Sequence, residues 1–441
     1  PRVGNRVLAP ERGNRGCGRI AGVPDLERVL AALAADPHNA VVHLEPDHAR
    51  AQRPGPGPLH GMPVAVKDII DVAGLPTRCG SAVLAGAPPA TADAPVVAAL
   101  RGAGAVVVAK THTHEFAYGP TGDVAVQGPC RNPHDPTRIT GGSSSGSAAA
   151  VAAGLVPLAL GTDTGCSVRT PAALCGVVGL KPAHGALPTT GVFPLSETCD
   201  HVGLLGADVG TVAAAFGALT GRSFDPGAPL DGTVIGHPTD TYWRVHDPAI
   251  AAGVDRAAQA LAAAGAQLRD LTMPGIDELA ATYRVIVGAE AYATHRDWLS
   301  HHPEDYQPAT RTRLLAVAEQ SAADYVTAQR TRRGIGAQLL EHLSGVDLLL
   351  TPTTPLRATP IGAQRVEVAG GSTVEVRAAL LSLTLPFSLL GLPAVSVPAG
   401  GVTGLPAGVQ LVAVRGGEQA ALGAAGRITA AGTSDAGHAA L

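Results

Sequence analysis

The chain has 441 residues, of which 46% are hydrophobic and 15% charged, and this balance predicts a globular protein with a large core rather than a disordered polymer. Lys and Arg number 32 against 36 Asp and Glu, which gives a formal net charge of -4 with neutral histidines. Because no excess of positive charge is present to attract phosphate groups, we expect neither a nucleic acid nor an anionic membrane surface as a partner.

Six cysteines are dispersed along the chain without a C-x-x-C pair: Cys17, Cys79, Cys130, Cys166, Cys175 and Cys199. This spacing favours neither a disulfide framework nor a zinc ribbon, so we expect a reducing, cytoplasmic location. Residues 1–16 lack the apolar run of a secretory signal, and we expect a frayed terminus there. The apolar stretch 381–401 contains three prolines, so we predict buried strands and turns rather than a membrane span.

The first predicted elements alternate between helices and strands. Residues 25–37 place apolar residues at helical spacing after an acidic cap, which predicts an amphipathic helix. Residues 53–63 are predicted as a Pro/Gly linker, and VAVKDIID after them as a short buried strand that ends in a charged pair. A helix over 94–101 and, after a Gly turn, a strand over 105–109 follow.

The same alternation of helix and strand is predicted twice more along the chain. An Ala-rich helix over 147–153 leads to the strand VPLALGTD, and residues 260–274 read as helix, Gly stop and strand. Residues 276–343 are almost entirely helical in pattern and predict a helical layer over one side. We therefore predict a single α/β domain over residues 1–441, with a central mixed, mostly parallel twisted sheet flanked by helices on both faces.

Two Gly/Ser-rich loops between residues 140 and 182 carry the strongest chemical signal. Such loops bring backbone N–H groups and hydroxyls close to a small ligand. The segment lacks the G-K-[ST] ending of a P-loop and does not match G-x-G-x-x-G after a strand, which disfavours nucleotide binding. Ser167 lies in a turn beside Gly165 and Cys166, where backbone donors can meet an oxyanion, and this favours a nucleophilic serine.

A serine nucleophile needs a base, and neither loop contains a histidine. The remote candidates are Lys67, His60, His112 and His114. Lys67 ends a buried apolar run, where loss of solvation lowers the pKa of an amine, although a lysine beside Asp68 also fits a simple ion pair.

The motifs together resemble the amidase signature family. The resemblance rests on GMPVAVKD, GGSSSGSAAAVAAG, GTDTGCSVRTPA, CGVVGLKP and TTGVFPLSETCDHVG, and it continues in collinear order from about residue 57 to 412. It implies the amidase signature fold, with a signature core at about 57–205 and a substrate-side helical region at about 276–343.

The resemblance also implies site residues. The family's catalytic lysine falls on Lys67, its serine held by a cis peptide bond falls on Ser143, and its nucleophile falls on Ser167. The implied oxyanion hole consists of the backbone N–H groups of Thr164, Gly165, Cys166 and Ser167. Ser145 is implied as a supporting hydroxyl, and Asp163 and Arg169 as a pair that holds the nucleophile loop.

The chain departs from the family pattern at several positions near these residues. Cys166 replaces a glycine of the nucleophile loop, and a cysteine there adds strain if the position needs a positive φ. Ile69 and His112 stand where asparagine is common, and Ala186 and Cys199 also replace commoner residues. None of these positions is one of the three catalytic positions, so they bear on substrate preference.

The expected activity is hydrolysis of a small amide, carbamate or ester through an acyl-enzyme, with no metal and no organic cofactor. One alternative is the amidase (glutaminase) subunit of an amidotransferase complex, and another is a urethane- or urea-type hydrolase with the same triad. THTHE at 111–115 also allows a metal site, but no third distant ligand is identifiable. A homodimer is kept open as the assembly. Possible aromatic walls for the substrate are Tyr283, Tyr292, Trp298 and Tyr325, although aromatics in helices are more often core.

Overall fold

The computed structural model describes residues 23–245, 247–401 and 403–436. The frayed start expected at residues 1–16, and Cys17, lie outside the described residues.

Fifteen strands are formed within these ranges: β1 Val41–His43, β2 Pro63–Lys67, β3 Val106–Thr111, β4 Arg131–Asn132, β5 Asp135–Ile139, β6 Leu158–Asp163, β7 Val178–Lys181, β8 His201–Gly206, β9 Val234–Pro238, β10 Gln267–Leu271, β11 Leu348–Pro352, β12 Arg365–Glu367, β13 Thr373–Glu375, β14 Ala394–Pro398 and β15 Gly408–Ala413. Thirteen α-helices accompany them: α1 Leu26–Ala34, α2 Pro46–Ala51, α3 Pro95–Gly102, α4 Ser145–Ala152, α5 Arg169–Cys175, α6 Val209–Thr220, α7 Pro248–Ala263, α8 Ile276–His301, α9 Pro308–Leu315, α10 Ala322–His342, α11 Val376–Ser382, α12 Leu385–Leu389 and α13 Gly417–Ala436.

Eleven strands form the central sheet in the order β1-β3-β2-β6-β8-β7-β14-β15-β11-β9-β10. The mixed sheet is as predicted, but the expectation that it would be mostly parallel is wrong. Only the pairs β2–β3, β2–β6, β9–β11 and β9–β10 are parallel, and the other six neighbouring pairs are antiparallel. Both orientations bury a strand on two faces, so hydropathy alone does not reveal strand direction.

Helices cover both faces of the sheet, as predicted. Val64 and Val66 of β2 point into a cluster with α3 and α6, whereas Ala65 between them points into a second cluster with α1 and α4. This alternation is the period-2 pattern of a strand buried on both sides. The first turn of α1 is capped by Asp25, whose carboxylate accepts a hydrogen bond from the N–H of Arg28 at 3.0 Å.

The helical layer predicted over 276–343 is formed by α8, α9 and α10. It is tied to the segment after the nucleophile loop through Glu290 of α8. This carboxylate accepts hydrogen bonds from the Ser196 and Thr198 hydroxyls, at 2.6 and 2.7 Å, and from the Tyr325 hydroxyl of α10 at 2.8 Å. The layer is therefore held beside the loops that end the central strands.

The three lysines of the chain, Lys67, Lys110 and Lys181, are all fully buried. Lys110 of β3 forms an ion pair with Asp68 at 3.0 Å, and Lys181 of β7 donates to the carbonyls of Leu392 and Pro182 at 2.6 and 3.2 Å. In the described ranges no helix is both long and apolar enough to span a bilayer.

Candidate active site

Three segments bring the candidate catalytic residues to one edge of the sheet. Lys67 is the last residue of β2, and Ser167 lies between β6 and α5. Because β2 and β6 are adjacent and parallel, their carboxyl ends lie side by side. Ser143 lies in the loop that leads into α4, the helix that packs against both strands.

Lys67 is fully buried among polar side chains. Its Nζ donates to Ser143 Oγ at 2.7 Å and to Thr162 Oγ1 at 2.8 Å. Burial lowers the pKa of Lys67 to about 7, against the opposing charges of Asp163 and Asp200. An ion pair with Asp68 does not form, because that carboxylate faces Lys110 instead. A large share of Lys67 is therefore a neutral amine near pH 7.

The cis-serine segment lies against the nucleophile loop. The peptide bond between Gly142 and Ser143 is cis, as the family resemblance implies. The N–H of Ser144 donates to the carbonyl of Ser167 at 3.1 Å, and the thiol of Cys166 contacts the carbonyl of Gly142 at 3.7 Å. In the described part of the chain, Ser143 Oγ and Ser167 Oγ form no direct hydrogen bond.

The nucleophile loop leaves backbone donors free. Gly165, Cys166 and Ser167 lie in the loop between β6 and α5, and their N–H groups donate to no acceptor among the described residues. Donors of this kind can stabilise a developing oxyanion. Cys166 is not among the residues with positive φ, so it does not strain the loop. Burial raises the pKa of its thiol to about 12, and the thiol therefore stays protonated and unreactive.

A buried ion pair supports the nucleophile loop. Arg169 donates to both carboxylate oxygens of Asp163, at 2.9 and 3.0 Å, and to the carbonyl of Gly165 at 3.0 Å. Asp163 also accepts the N–H of Val168 at 3.1 Å. Burial alone would raise the pKa of Asp163, but Arg169 holds it below the usual value. The pair fixes both ends of the turn that contains Ser167.

Ser145 belongs to a hydrogen-bond network beside the candidate catalytic residues. Its Oγ is 2.8 Å from His112 Nδ1, while His112 Nε2 is 2.8 Å from the carbonyl of Gly128. Burial lowers the pKa of His112 to about 4, so the ring is neutral and Nε2 carries the hydrogen donated to Gly128. Ser145 therefore donates to His112 Nδ1 and, among the described residues, forms no hydrogen bond with Lys67 or Ser167.

Two residues of this network were missed by sequence reasoning. Thr162 is the second acceptor for Lys67, and Asp200 accepts the hydroxyl hydrogen of Thr164 at 2.6 Å and the N–H groups of Leu195 and Ser196. Burial raises the pKa of Asp200 to about 6. The signal for Thr162 was its place near the end of β6, but its side-chain direction depends on the strand's register.

Among the described residues, the rings of the other candidate bases form no hydrogen bond with Ser143 or Ser167. His60 Nδ1 is 2.9 Å from the carbonyl of Gly55 at an exposed position. His114 Nδ1 accepts the N–H of Gly122 at 3.3 Å, and both ring nitrogens of His112 are engaged, which disfavours a metal site at THTHE. The one cluster of possible metal ligands in the described ranges is an exposed group outside this site, His302, Glu304 and Asp305.

Of the four aromatic residues considered as substrate walls, Tyr283 meets the nucleophile loop, and Tyr292 packs against the main core. A Cβ atom added to Gly165 would lie 2.4 Å from Tyr283 Oη, so the phenol covers this glycine. Trp298 stacks in a core cluster with Phe116 and Phe193, and the Tyr325 hydroxyl donates to Glu290.

The fold and the sequence match a known protein family. The family model described as Amidase matches residues 27–422, and the chain belongs to this family of amidase signature hydrolases, which act on C–N bonds other than peptide bonds.

Two similar proteins and one similar solved structure show which activities occur among the relatives of this chain. The chain is 39% identical over 373 residues to AtzE, a 1-carboxybiuret hydrolase subunit of Pseudomonas sp. strain ADP, covering 81% of this chain and 80% of the relative. It is 36% identical over 395 residues to a glutamyl-tRNA(Gln) amidotransferase subunit of Symbiobacterium thermophilum, covering 81% and 80%. A solved, inhibitor-bound structure, described as a vestigial protein complex that reveals the origins of an s-triazine catabolic enzyme, superposes with a TM-score of 0.86 at 36% identity, covering 92% of this chain and 94% of that one.

Proposed function

We propose that this chain hydrolyses the C–N bond of a small amide through a covalent acyl-enzyme on Ser167. The observation that carries the proposal is the fully buried Lys67, whose Nζ lies 2.7 Å from Ser143 Oγ and whose pKa burial lowers to about 7. A neutral amine in contact with a serine beside the nucleophile loop is what a Ser-cisSer-Lys triad requires.

In the proposed mechanism Ser167 Oγ attacks the carbonyl carbon of the substrate, while its proton passes through Ser143 to Lys67. The backbone N–H groups of Thr164, Gly165, Cys166 and Ser167 stabilise the oxyanion. The proton then returns through Ser143 to the leaving nitrogen, the C–N bond breaks, and water releases the acyl group by the reverse relay. The Ser143 and Ser167 hydroxyls close into hydrogen-bond contact when substrate binds.

The same nucleophile and oxyanion hole act on any reactive carbonyl, so carbamates, ureas and esters belong to the proposed range. A carboxylated urea-type compound is a useful guide, because the relative at 39% identity is named as a hydrolase subunit for 1-carboxybiuret.

A second candidate is an amidase subunit that works in a complex, since both relatives described above are named as subunits. Light scattering of the purified chain, followed by assays with glutamine and with other small amides, separates the two. A homodimer that hydrolyses non-glutamine amides alone supports the stand-alone hydrolase, and glutaminase activity that appears only with a co-purified partner supports the complex-bound subunit.

A cytoplasmic location remains a prediction.

Labelling with a small fluorophosphonate tests the mechanism directly. Intact-mass and peptide analysis of wild type is expected to give one adduct, on Ser167. Ser167→Ala is expected to abolish the adduct and Lys67→Ala to slow its formation by about a hundredfold or more, in line with loss of general base catalysis. Arg269→Gln, on the exposed edge strand β10, is the control and should label as wild type does. An unlabelled, well-folded wild type would overturn the proposal.

A further inference from the structure

Two arginines with no carboxylate partner among the described residues lie beside the candidate site. Arg377 is the second residue of α11 and Arg313 belongs to α9. Within the described ranges no carboxylate oxygen lies within 4.0 Å of either guanidinium. The Nε of Arg377 is buried and makes no hydrogen bond, while Arg313 lies 5.1 Å above the ring of Tyr118 and donates to that residue's carbonyl.

The helix that carries Arg377 packs beside the nucleophile loop. Helix α11 is pinned to the helix after Ser167, because the Thr170 hydroxyl donates to the carbonyl of Leu380 at 3.0 Å. Burial raises the pKa of Tyr283, the residue that covers Gly165, and the charge of Arg377 partly opposes that rise. Arg377 therefore lies within electrostatic reach of the side chain that touches the candidate oxyanion loop.

The nearby described carboxylates form no ion pair with the two arginines. Glu115 and Glu375 lie near enough to act on Arg313. Glu115, however, accepts the Ser81 hydroxyl at 2.7 Å and the N–H of Gln307, and Glu375 accepts the N–H of Ala378 at 2.6 Å. Burial, followed by the charge of Arg377, lowers the pKa of Arg313 to about 10, so Arg313 stays cationic near pH 7.

Two neighbouring like charges, one with an unused buried donor, are unfavourable unless an anion joins them. A guanidinium presents planar N–H donors that match the two oxygens of a carboxylate. We propose that Arg377, with Arg313 behind it, binds a carboxylate of the substrate, so that the preferred substrates are small amides that also carry a carboxylate. This inference rests on the proposed amide hydrolysis at Ser167.

The first test measures binding without turnover. Malonate, succinate and glutarate are added as probes while the fluorophosphonate labels Ser167. At least one of them is expected to slow labelling of wild type and to lose about tenfold or more in protective affinity in Arg377→Gln, the change that loss of a charged hydrogen bond produces. The control Arg269→Gln should be protected as wild type is. Equal protection of wild type and Arg377→Gln, or no protection by any of the three, overturns the carboxylate site.

The second test compares matched substrates. Malonamate, succinamate and glutaramate are paired with the corresponding neutral diamides. For the best acid, Arg377→Gln is expected to lose about tenfold or more in kcat/KM, mostly through KM, with less than about a threefold change on its diamide and partial recovery in Arg377→Lys. Equal losses on acid and diamide contradict the proposal. If Ser167 labels normally while no acid is preferred, only the carboxylate inference fails; if Ser167 does not label, the hydrolase mechanism itself fails.

Discussion

Lys67 shows how one residue's chemistry depends on its surroundings. An exposed lysine is charged at pH 7, whereas this one ends a strand that is buried on both faces and faces two hydroxyls instead of a carboxylate. The neutral hydroxyls hydrogen-bond the amine, but they do not replace the water that stabilises its charged form in solution. The pKa of Lys67 therefore stays low. Burial within the sheet thus also lowers the pKa of Lys67 into the range that a general base needs at neutral pH.

A pH profile tests this arrangement. Because protonated Lys67 cannot accept a proton, kcat/KM is expected to rise through an apparent pKa of about 7, reach a plateau above it and fall tenfold per unit well below it. Steady-state rates between about pH 5.5 and 9 on a non-ionising amide measure the profile. A profile that is flat from about pH 5.5 to 8 would show that Lys67 is not the base.

The Asp163–Arg169 pair makes a prediction about stability. Asp163→Asn leaves the fully buried Arg169 without its counter-charge, and a loss of about 3–5 kcal/mol in the free energy of unfolding is expected. Urea denaturation followed by circular dichroism measures it. Breaking the exposed Glu27–Arg50 pair with Glu27→Gln is the control and should leave the urea midpoint unchanged. A loss below about 1 kcal/mol for Asp163→Asn would contradict the assigned role.

The sequence predicts Lys67, Ser143 and Ser167 as the triad because they lie in motifs that resemble those of the amidase signature family, and this triad stays a prediction. The sequence did not identify Thr162, Asp200 or Arg377. Their places in the structure depend on contacts between residues distant in sequence, such as that of Asp200 with Thr164, and these contacts are set by strand register and helix packing.

At the scale of elements, periodicity located the helices and strands well. The helix predicted over 25–37 is α1, those over 94–101 and 147–153 are α3 and α4, and the strand VPLALGTD contains β6. Their ends differ by a few residues, because caps and neighbouring chain segments decide where a helix stops. Strand order and direction came only from the structure, since buried parallel and antiparallel strands share one hydropathy pattern.

Close packing of α4 against the sheet can be tested with a single methyl group. A Cβ atom at Gly146 would lie 2.2 Å from the carbonyl of Ala40 and 2.4 Å from the N–H nitrogen of His112, both backbone atoms. Gly146→Ala is therefore expected to lower the free energy of unfolding by about 2 kcal/mol or more and to slow labelling of Ser167. The matched control is Gly102→Ala in α3, where nothing lies within 4 Å and a gain of about 0.5–1 kcal/mol is expected. Equal melting temperatures for the two variants would refute the packing argument.

At the scale of the whole molecule, one sheet joins the two halves of the chain. The candidate triad comes from residues 67–167, while Tyr283, which covers Gly165 of the nucleophile loop, comes from the later helix α8. We keep the prediction of a single domain, since strands from both halves of the chain pair in this sheet. One cooperative unfolding transition is the expected behaviour.

Buried neutral histidines make the whole fold sensitive to acid. Burial lowers the pKa of His112 and His295 to about 4, and it also lowers the pKa of His114 and His201. The unfolded chain binds these protons near pH 6.5 and the folded chain does not, so the contribution of these histidines to stability is complete above about pH 6.5 and falls as the pH drops toward 4. The carboxyl groups of Asp68, Glu115 and Asp200, whose pKa values burial raises, oppose this trend.

Urea midpoints at about pH 7, 5.5 and 4.5 measure this loss, with His112→Asn as the matched variant. It removes one titrating ring and is expected to reduce the loss of stability between pH 7 and 4.5 by about 2 kcal/mol. Equal losses of stability in wild type and in His112→Asn over this range would contradict the neutral, buried state of His112.

The burial of all three lysines has a consequence for chemical labelling. Reagents that acylate ε-amino groups find none on the outside of the folded protein, since Lys67, Lys110 and Lys181 are fully enclosed. Acylation of a lysine therefore records an opening of the structure, and its rate reports the free energy of that opening. β2, β3 and β7 each carry one such lysine, so the three sites form a built-in set of reporters for how separate parts of the sheet come apart.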